Sequence, residues 1–315
     1  MQVHYSLPEQ RVLDACALTV GTFDGVHRGH QLLVQRLKTE AAQRDLPAAV
    51  LTFLDMPICH FRPDICPRLL TLGDEKVAAF AETPLDHLFI VPFNEQIARQ
   101  SAAEFMAYWR KIAGIKLFVG GPDFALGRDR QGDIPALRAV GAEQGFEVLA
   151  LEHKLLEGET PISSTRSRVM VESGDMAAAK RCLGHYYSLQ GEVVGGQMLG
   201  RTIGVPTINL RAHERKCLPA NGVYAVLARL DGAGELLPAA LNLGFRPTVD
   251  GVHLAMEFHV LDRDIAEAPQ RAELIFVERL RDERKFAGLP ALVEQLHLDI
   301  ARARDVLGNE FDHYL

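Results

Sequence analysis

Within the ten residues Gly21-Thr22-Phe23-Asp24-Gly25-Val26-His27-Arg28-Gly29-His30 stand three glycines and two histidines. The stretch follows an apolar run, Ala17-Leu18-Thr19-Val20, and opens a helical pattern in which Leu33, Leu37 and Ala41 recur every fourth residue. A helix N-terminus favours anions, and histidines three apart share one helix face. Imidazoles so placed can donate hydrogen bonds to phosphate oxygens as charge builds up in group transfer. Gly29 between them removes a side chain where a phosphate needs the backbone close, and Gly21, Phe23, Asp24 and Gly25 shape the turn before it. A second cluster, Ile162-Ser163-Ser164-Thr165-Arg166-Ser167-Arg168, sets hydroxyls ahead of two guanidinium groups, whose forks match phosphate geometry. A third, Gly120 to Arg128 with Asp123 inside it, follows another apolar run and can line the same cleft.

The elements that must hold these groups alternate. Ala48–Phe53, Leu88–Val91, Leu117–Val119 and Glu147–Ala150 read as strands, with a helix over Ser101–Ile112 opened by a Ser101/Glu104 capping box. Strand and helix in repetition predict an α/β fold with a mostly parallel sheet. Ligands of such sheets bind outside the carboxyl ends of the strands, where the glycine-histidine stretch falls. After Leu183-Gly184 the rhythm changes: Gln190–Val194, Gly222–Leu230, Ala239–Leu243, Leu254–Leu261 and Arg271–Leu280 read as strands joined by short turns. That predicts an antiparallel barrel or sandwich, closed by a helix over Pro290–Leu307. The boundary falls between residues 183 and 188, giving domains 1–184 and 185–315.

Composition limits the function classes. The chain has 315 residues, 48% hydrophobic and 24% charged, with a formal net charge of -7. That balance speaks against a nucleic-acid partner, which calls for a basic face, though a phosphorylated small molecule needs only a few local cations. No apolar run reaches the roughly 18 to 20 residues that span a bilayer, and the N-terminus lacks the pattern of a signal peptide, so no membrane partner and a cytoplasmic setting are expected. The five cysteines, Cys16, Cys59, Cys66, Cys182 and Cys217, are odd in number and scattered; free buried thiols are expected, with no disulfide framework and no zinc site. The oligomeric state is not legible.

HxGH after a strand is shared by adenylyltransferases and class I aminoacyl-tRNA synthetases, but the chain shows no KMSKS-type loop. The sequence as a whole resembles the prokaryotic bifunctional riboflavin kinase/FMN adenylyltransferase family, also called FAD synthetase. The resemblance runs from about Leu18 to Arg304. It rests on the stretches above, on Gly200 to Asn209, on Leu218-Pro219 with Gly222-Val223-Tyr224, on Asn242 to Thr248, on Glu257-Phe258-His259, and on Leu280-Arg281 with Lys285-Phe286. It implies a Rossmann-like nucleotidyltransferase domain followed by a β-barrel kinase domain, with ATP, riboflavin, FMN and FAD as ligands and Mg²⁺ as the metal. His27 and His30 would serve adenylyl transfer, with Ser164, Thr165, Arg166 and Arg168 on the phosphates. In the kinase, Gly200, Arg201, Gly204, Pro206, Thr207 and Asn209 would hold nucleotide and metal, and Glu257 would be the general base. Asn242, Gly244, Arg246, Arg281 and Phe286 would meet the flavin. On their own, Thr207 and Asn209 offer hard oxygen donors two residues apart, facing the same way on an extended segment. Met56 stands where the family usually has a polar residue facing phosphates, Ser167 where an aliphatic one is usual, and Ile265–Ala268 replaces a tyrosine-glycine pair. The alternative reading is a riboflavin kinase with a degenerate adenylyltransferase half; a different HxGH transferase would leave the barrel unexplained.

Overall fold

The structure, a computed structural model, describes residues 1–195, 204–232, 234–248, 251–265 and 267–311, with the side chains of 245–248, 251–254 and 309–311 left undescribed. By its contacts the chain divides into two compact units, Met1–Ser164 and Thr165–Leu315.

In chain order the first unit contains β1 (Gln2–Tyr5), β2 (Cys16–Val20), α1 (Arg28–Ala42), β3 (Ala48–Phe53), α2 (Pro57–Phe61), α3 (Gly73–Ala81), β4 (His87–Val91), α4 (Glu95–Arg99), α5 (Ala102–Ala113), β5 (Ile115–Gly120), β6 (Ala125–Leu126), β7 (Gly132–Asp133), α6 (Ile134–Gln144), β8 (Glu147–Ala150), β9 (Leu156–Glu157) and β10 (Thr160–Pro161). Six strands form one sheet in the order β1-β4-β3-β2-β5-β8, every pair parallel. Strands buried on both faces read as continuous apolar runs, and all residues of β2 and β3 are buried. Their side chains part by alternation. Cys16, Leu18, Val20, Leu51 and Phe53 join Phe105, Met106 and Trp109 of α5 on one face. Ala17, Ala48 and Val50 join Leu33, Val34 and Leu37 of α1 on the other. Each large apolar side chain so buried contributes roughly 1.5–3 kcal/mol.

The chain builds outward from β2 through β3 to β4, then crosses back to place β5 on the other side of β2. The strand order therefore reverses between β2 and β5, and the loops leaving their carboxyl ends diverge to open a crevice. Residues 21–27 leave β2 there, and residues 121–124 leave β5.

The second unit starts with the helices α7 (Ser164–Ser173), which begins at the junction, and α8 (Met176–Leu183). The expected boundary at 184/185 lies at the far end of this helical pair; α8 groups with the second unit because it packs on its last strand. Then come β11 (Ser188–Val194), β12 (Ile208–Ala212), β13 (Gly222–Leu230), β14 (Leu237–Thr248), β15 (Gly251–Val260), β16 (Arg271–Arg281) and α9 (Leu289–Phe311). The strands close into a barrel in the order β11-β12-β15-β14-β13-β16, antiparallel throughout. Closure leaves no unpaired edge. α9 covers the barrel with Ala303 and Leu307, packed against Val223, Ala225, Leu227 and Leu280.

One expectation is corrected. Cys59 and Cys66 form a disulfide. α2 and the short 3-10 helix at Pro63–Ile65 double the chain back within seven residues, which brings the two Cα atoms to 4.6 Å, inside bridging range. Cys16, Cys182 and Cys217 are buried thiols outside any disulfide, as expected. Among the described residues no helix is long and apolar enough to cross a membrane.

Candidate active sites

Between Val20 and the start of α1 the backbone turns through left-handed conformations at Phe23 (φ 46°), Gly25 (φ 78°) and Val26 (φ 38°). Non-glycine residues adopt that region only with support from their surroundings, and the support is visible. The Asp24 carboxylate accepts the backbone N–H groups of Leu70 (2.8 Å) and Thr71 (3.2 Å), and the Gly25 N–H donates to the Thr71 hydroxyl (3.1 Å). The Ser164 hydroxyl donates to the Asp24 carbonyl (2.8 Å). Asp24 thus holds the shape of the turn.

His27 is the N-cap of α1: its Nδ1 accepts the His30 N–H at 3.3 Å. A nitrogen that accepts carries no proton, so the ring keeps its proton on Nε2. His27 is 6% exposed, and burial holds its pKa down to about 4 against a backbone hydrogen bond that pulls the other way. The rings of His27 and His30 stack at 3.6 Å, and Phe23 meets His30 edge-on at 4.9 Å. Burial first, then the neighbouring His27 and Lys76, push the His30 pKa well below its ordinary value. Its Nδ1 is enclosed and has no hydrogen-bond partner among the described residues. Two neutral imidazoles at a helix N-terminus can donate N–H groups to an anion without competing for a proton. Gly29 has a role that spacing did not reveal: a Cβ there would stand 3.1 Å from His27 Cε1, so the glycine gives the His27 ring its place.

Beside this turn lies a cavity of about 520 Å³. It meets the turn at Gly21 and Thr22 and is walled by Phe53 of β3, Pro57 and Phe61 of α2, Phe93, Phe105 and Phe124, with Asp123, Arg128 and Arg130 along one side. Phe53 and Phe93 pack edge to face at 5.2 Å. Asp123 pairs with Lys154, and Arg130 donates to the Asp123 carbonyl at 3.2 Å. A volume of this size, largely apolar with five phenylalanines in its wall and charged groups on one side, suits a planar ring bearing an anionic tail.

The barrel holds the other constellation. Glu257, 9% exposed, stands on β15 directly opposite Asn209 of β12 on one side and Asn242 of β14 on the other. Facing residues of antiparallel strands present their side chains on one face, so a carboxylate and two amides from three adjacent strands lie together. His259, two residues on and on the same face, donates from Nδ1 to the Pro206 carbonyl at 2.7 Å, fixing the segment that delivers Thr207. Gly204 turns that segment with φ 79°.

Residues 9–166 match the family described as FAD synthetase, and residues 183–307 match riboflavin kinase. Proteins named bifunctional riboflavin kinase/FMN adenylyltransferase are similar over nearly the full length. That of Escherichia coli (strain K12) is 37% identical over 297 residues, 94% of each chain. That of Pseudomonas fluorescens is 36% identical over 306 residues, covering 96% of this chain and 95% of its own. That of Bacillus subtilis (strain 168) is 30% identical over 300 residues, covering 94% and 93%. This chain belongs to that family. Among solved structures, that of a protein named as a macrolide-efflux protein from Streptococcus pneumoniae superposes with a TM-score of 0.85 at 28% identity, over 95% of this chain and 98% of its own. The likeness is one of fold, and the efflux name stays with the streptococcal protein.

As in its family, the two nucleotide-using halves follow one another on one polypeptide, an N-terminal adenylyltransferase and a C-terminal kinase. Of the residues expected at the first site, Gly21, Phe23, Asp24, Gly25, His27, Gly29, His30 and Ser164 gather at one turn, and Asp123 lies on the cavity wall. Ser164 opens α7, whose first turns carry exposed Thr165, half-buried Arg166 and buried Arg168. At the second site Asn209, Asn242 and Glu257 come together. Gly244 is next but one to Asn242 on β14, and a Cβ there would run into the Glu283 carboxylate. Arg281 is committed to Asp299 of α9 through two nitrogens (2.9 and 2.7 Å) and lies 5.8 Å from the Phe286 ring. Gly200 and Arg201 lie outside the described residues, as does the Arg246 side chain. His259 stood in the Glu257-Phe258-His259 stretch without a role of its own, though its even spacing from Glu257 on one strand signals a shared face. Lys76, Thr71 and Asp299 carry no signal in the sequence and are brought in by tertiary placement alone.

Proposed function

We propose that the two constellations divide the two reactions of the family, riboflavin phosphorylation and FMN adenylylation, between them. In the barrel, Glu257 accepts the proton of the ribityl hydroxyl of riboflavin as that oxygen attacks the γ-phosphorus of ATP; the bond to the β-phosphate oxygen breaks, and FMN and ADP result. Asn242 orients the flavin side of this face, and Thr207 and Asn209 hold the nucleotide end. ATP-dependent transfers of this family use a divalent metal, and the hard oxygen donors here fit Mg²⁺, which when bound neutralises phosphate charge. Thr207 and Asn209 are the residues that would hold it.

In the first unit the flavin ring of FMN occupies the aromatic cavity. A phosphate oxygen of FMN attacks the α-phosphorus of ATP, the α–β bridge breaks, and FAD and pyrophosphate leave. His27 and His30 donate hydrogen bonds to the phosphate oxygens where negative charge grows, and the N-terminus of α1 adds its dipole. Asp123 serves the far side of the cavity. Domains 1–184 and 185–315, in the cytoplasm, complete the assignment.

The observation that carries the division is that Glu257, Asn209 and Asn242 form a complete polar face on a barrel with its own core, separate in sequence from the histidine turn. The test supplies riboflavin or FMN with Mg-ATP and resolves the flavins by chromatography. Glu257→Gln is expected to lower FMN formation by about 10²-fold or more while FAD still forms from supplied FMN, and His30→Ala is expected to do the reverse. Loss of both activities in both folded variants would refute two independent sites.

A further inference from the structure

Lys76, on α3, is 4% exposed. Its Nζ donates to the carbonyls of Thr22 (3.0 Å) and Phe53 (2.9 Å), where the chain leaves β2 and β3. Gly21, Thr22 and Phe53 all line the cavity, so this ammonium sits beneath its floor. No carboxylate among the described residues comes within ion-pair distance of it; Asp24 and Asp55 act on it only at longer range. Two carbonyls can be tied by any neutral donor of the right reach. Burying an ammonium instead costs several kcal/mol unless an anion compensates, and the described residues supply none in contact. Desolvation accordingly lowers the Lys76 pKa to about 8. The compensating anion expected at this strand end is the polyphosphate of the substrate, because His27, His30 and the start of α1 meet it from the adjacent turn.

We propose that Lys76 is an electrostatic positioning residue for adenylyl transfer: it pins the carboxyl ends of β2 and β3 and places a positive charge under the phosphates that lie across them. This rests on the assignment of FMN adenylylation to the first unit. The charge acts through the strand ends it ties, alongside the imidazole donors.

The test separates charge from tether. Lys76→Gln retains two N–H donors for the same carbonyls and loses the charge; Lys76→Met loses both. In both variants kcat for FAD formation from supplied FMN is expected to fall by about 30-fold or more, with KM for FMN changing by less than about threefold and with riboflavin phosphorylation at the wild-type rate. Wild-type turnover in Lys76→Gln would overturn the proposal, leaving only a tether. Failure of the wild-type chain to convert FMN would overturn the underlying assignment and this inference with it. Should the variants not fold, titration calorimetry of the wild-type chain at about pH 8.5, in buffers of different ionisation enthalpy, decides the matter. α,β-Methylene-ATP is expected to bind with uptake of about half a proton, the effect of a one-unit rise in the Lys76 pKa, and adenosine is expected to bind with none. Equal proton uptake with both would overturn the proposal.

Discussion

An imidazole that lies flat against another, already accepts a backbone N–H and is almost closed to water holds a proton poorly. For His27 this defines a pH window. Unfolded, the side chain titrates near its ordinary value of 6.5; folded, at about 4. Between those values the unfolded chain binds more protons, so stability rises with pH across the window and is lost as pH falls through it. The two and a half units between the values correspond to something on the order of 3 kcal/mol. Trp109, the chain's only tryptophan, is buried in the core of the first unit and reports that unit alone. Denaturant midpoints followed by its fluorescence are expected to fall between pH 7 and pH 4.5, and to fall less in His27→Gln, which has nothing to titrate there. An equal fall in both would place the effect on other groups. The histidine turn was legible because glycine and histidine at that spacing have few other uses. Lys76 was not, since a lysine in a short helix looks solvated until the fold buries it. The Cys59–Cys66 bridge escaped for a similar reason: a spacing of seven is no motif, and only the reversal after α2 brings the thiols together.

Elements announced themselves to the degree that they are buried. β2 and β3 are apolar from end to end and were readable, whereas β1, four residues long and only half covered at the sheet edge, was passed over. α5 was readable from its cap. The Ser101 hydroxyl accepts the Glu104 N–H at 3.3 Å, and the Glu104 carboxylate accepts the Ser101 N–H at 2.8 Å. The helix then buries Phe105, Met106, Trp109 and Ile112, and ends at Gly114, whose φ of 59° suits only glycine comfortably. Replacing Ser101 by Ala removes one half of a reciprocal cap and is expected to cost about 1 kcal/mol. The Trp109 denaturation midpoint should fall accordingly, while the rate of riboflavin phosphorylation at 25 °C stays unchanged. A loss of phosphorylation would mean that the two units are not energetically separate. The short helices α2, α3 and α4 carry too few turns to show a period, and their sequences alone did not reveal them.

At the scale of the whole molecule, the assignment proposed above has the two units present their chemistry in different ways. The first hangs it on loops at strand ends, where chain length can change without disturbing the sheet. The second sets it within strands, with Asn209, Glu257 and Asn242 facing one another through the pairing of β12, β15 and β14. Side chains alternate along a strand, so this site obeys a rule of parity. One alanine inserted between Ala255 and Met256 turns Glu257 to the opposite face or forces a bulge beside it. Chromatography is expected to show FMN formation abolished and FAD formation from supplied FMN intact; retained kinase activity would contradict the facing arrangement. Because the barrel is closed, the error cannot drift off a free edge and must be absorbed beside the carboxylate. Length variation in the strands of the kinase half is therefore confined to even steps, while the loops of the adenylyltransferase half can grow or shrink one residue at a time.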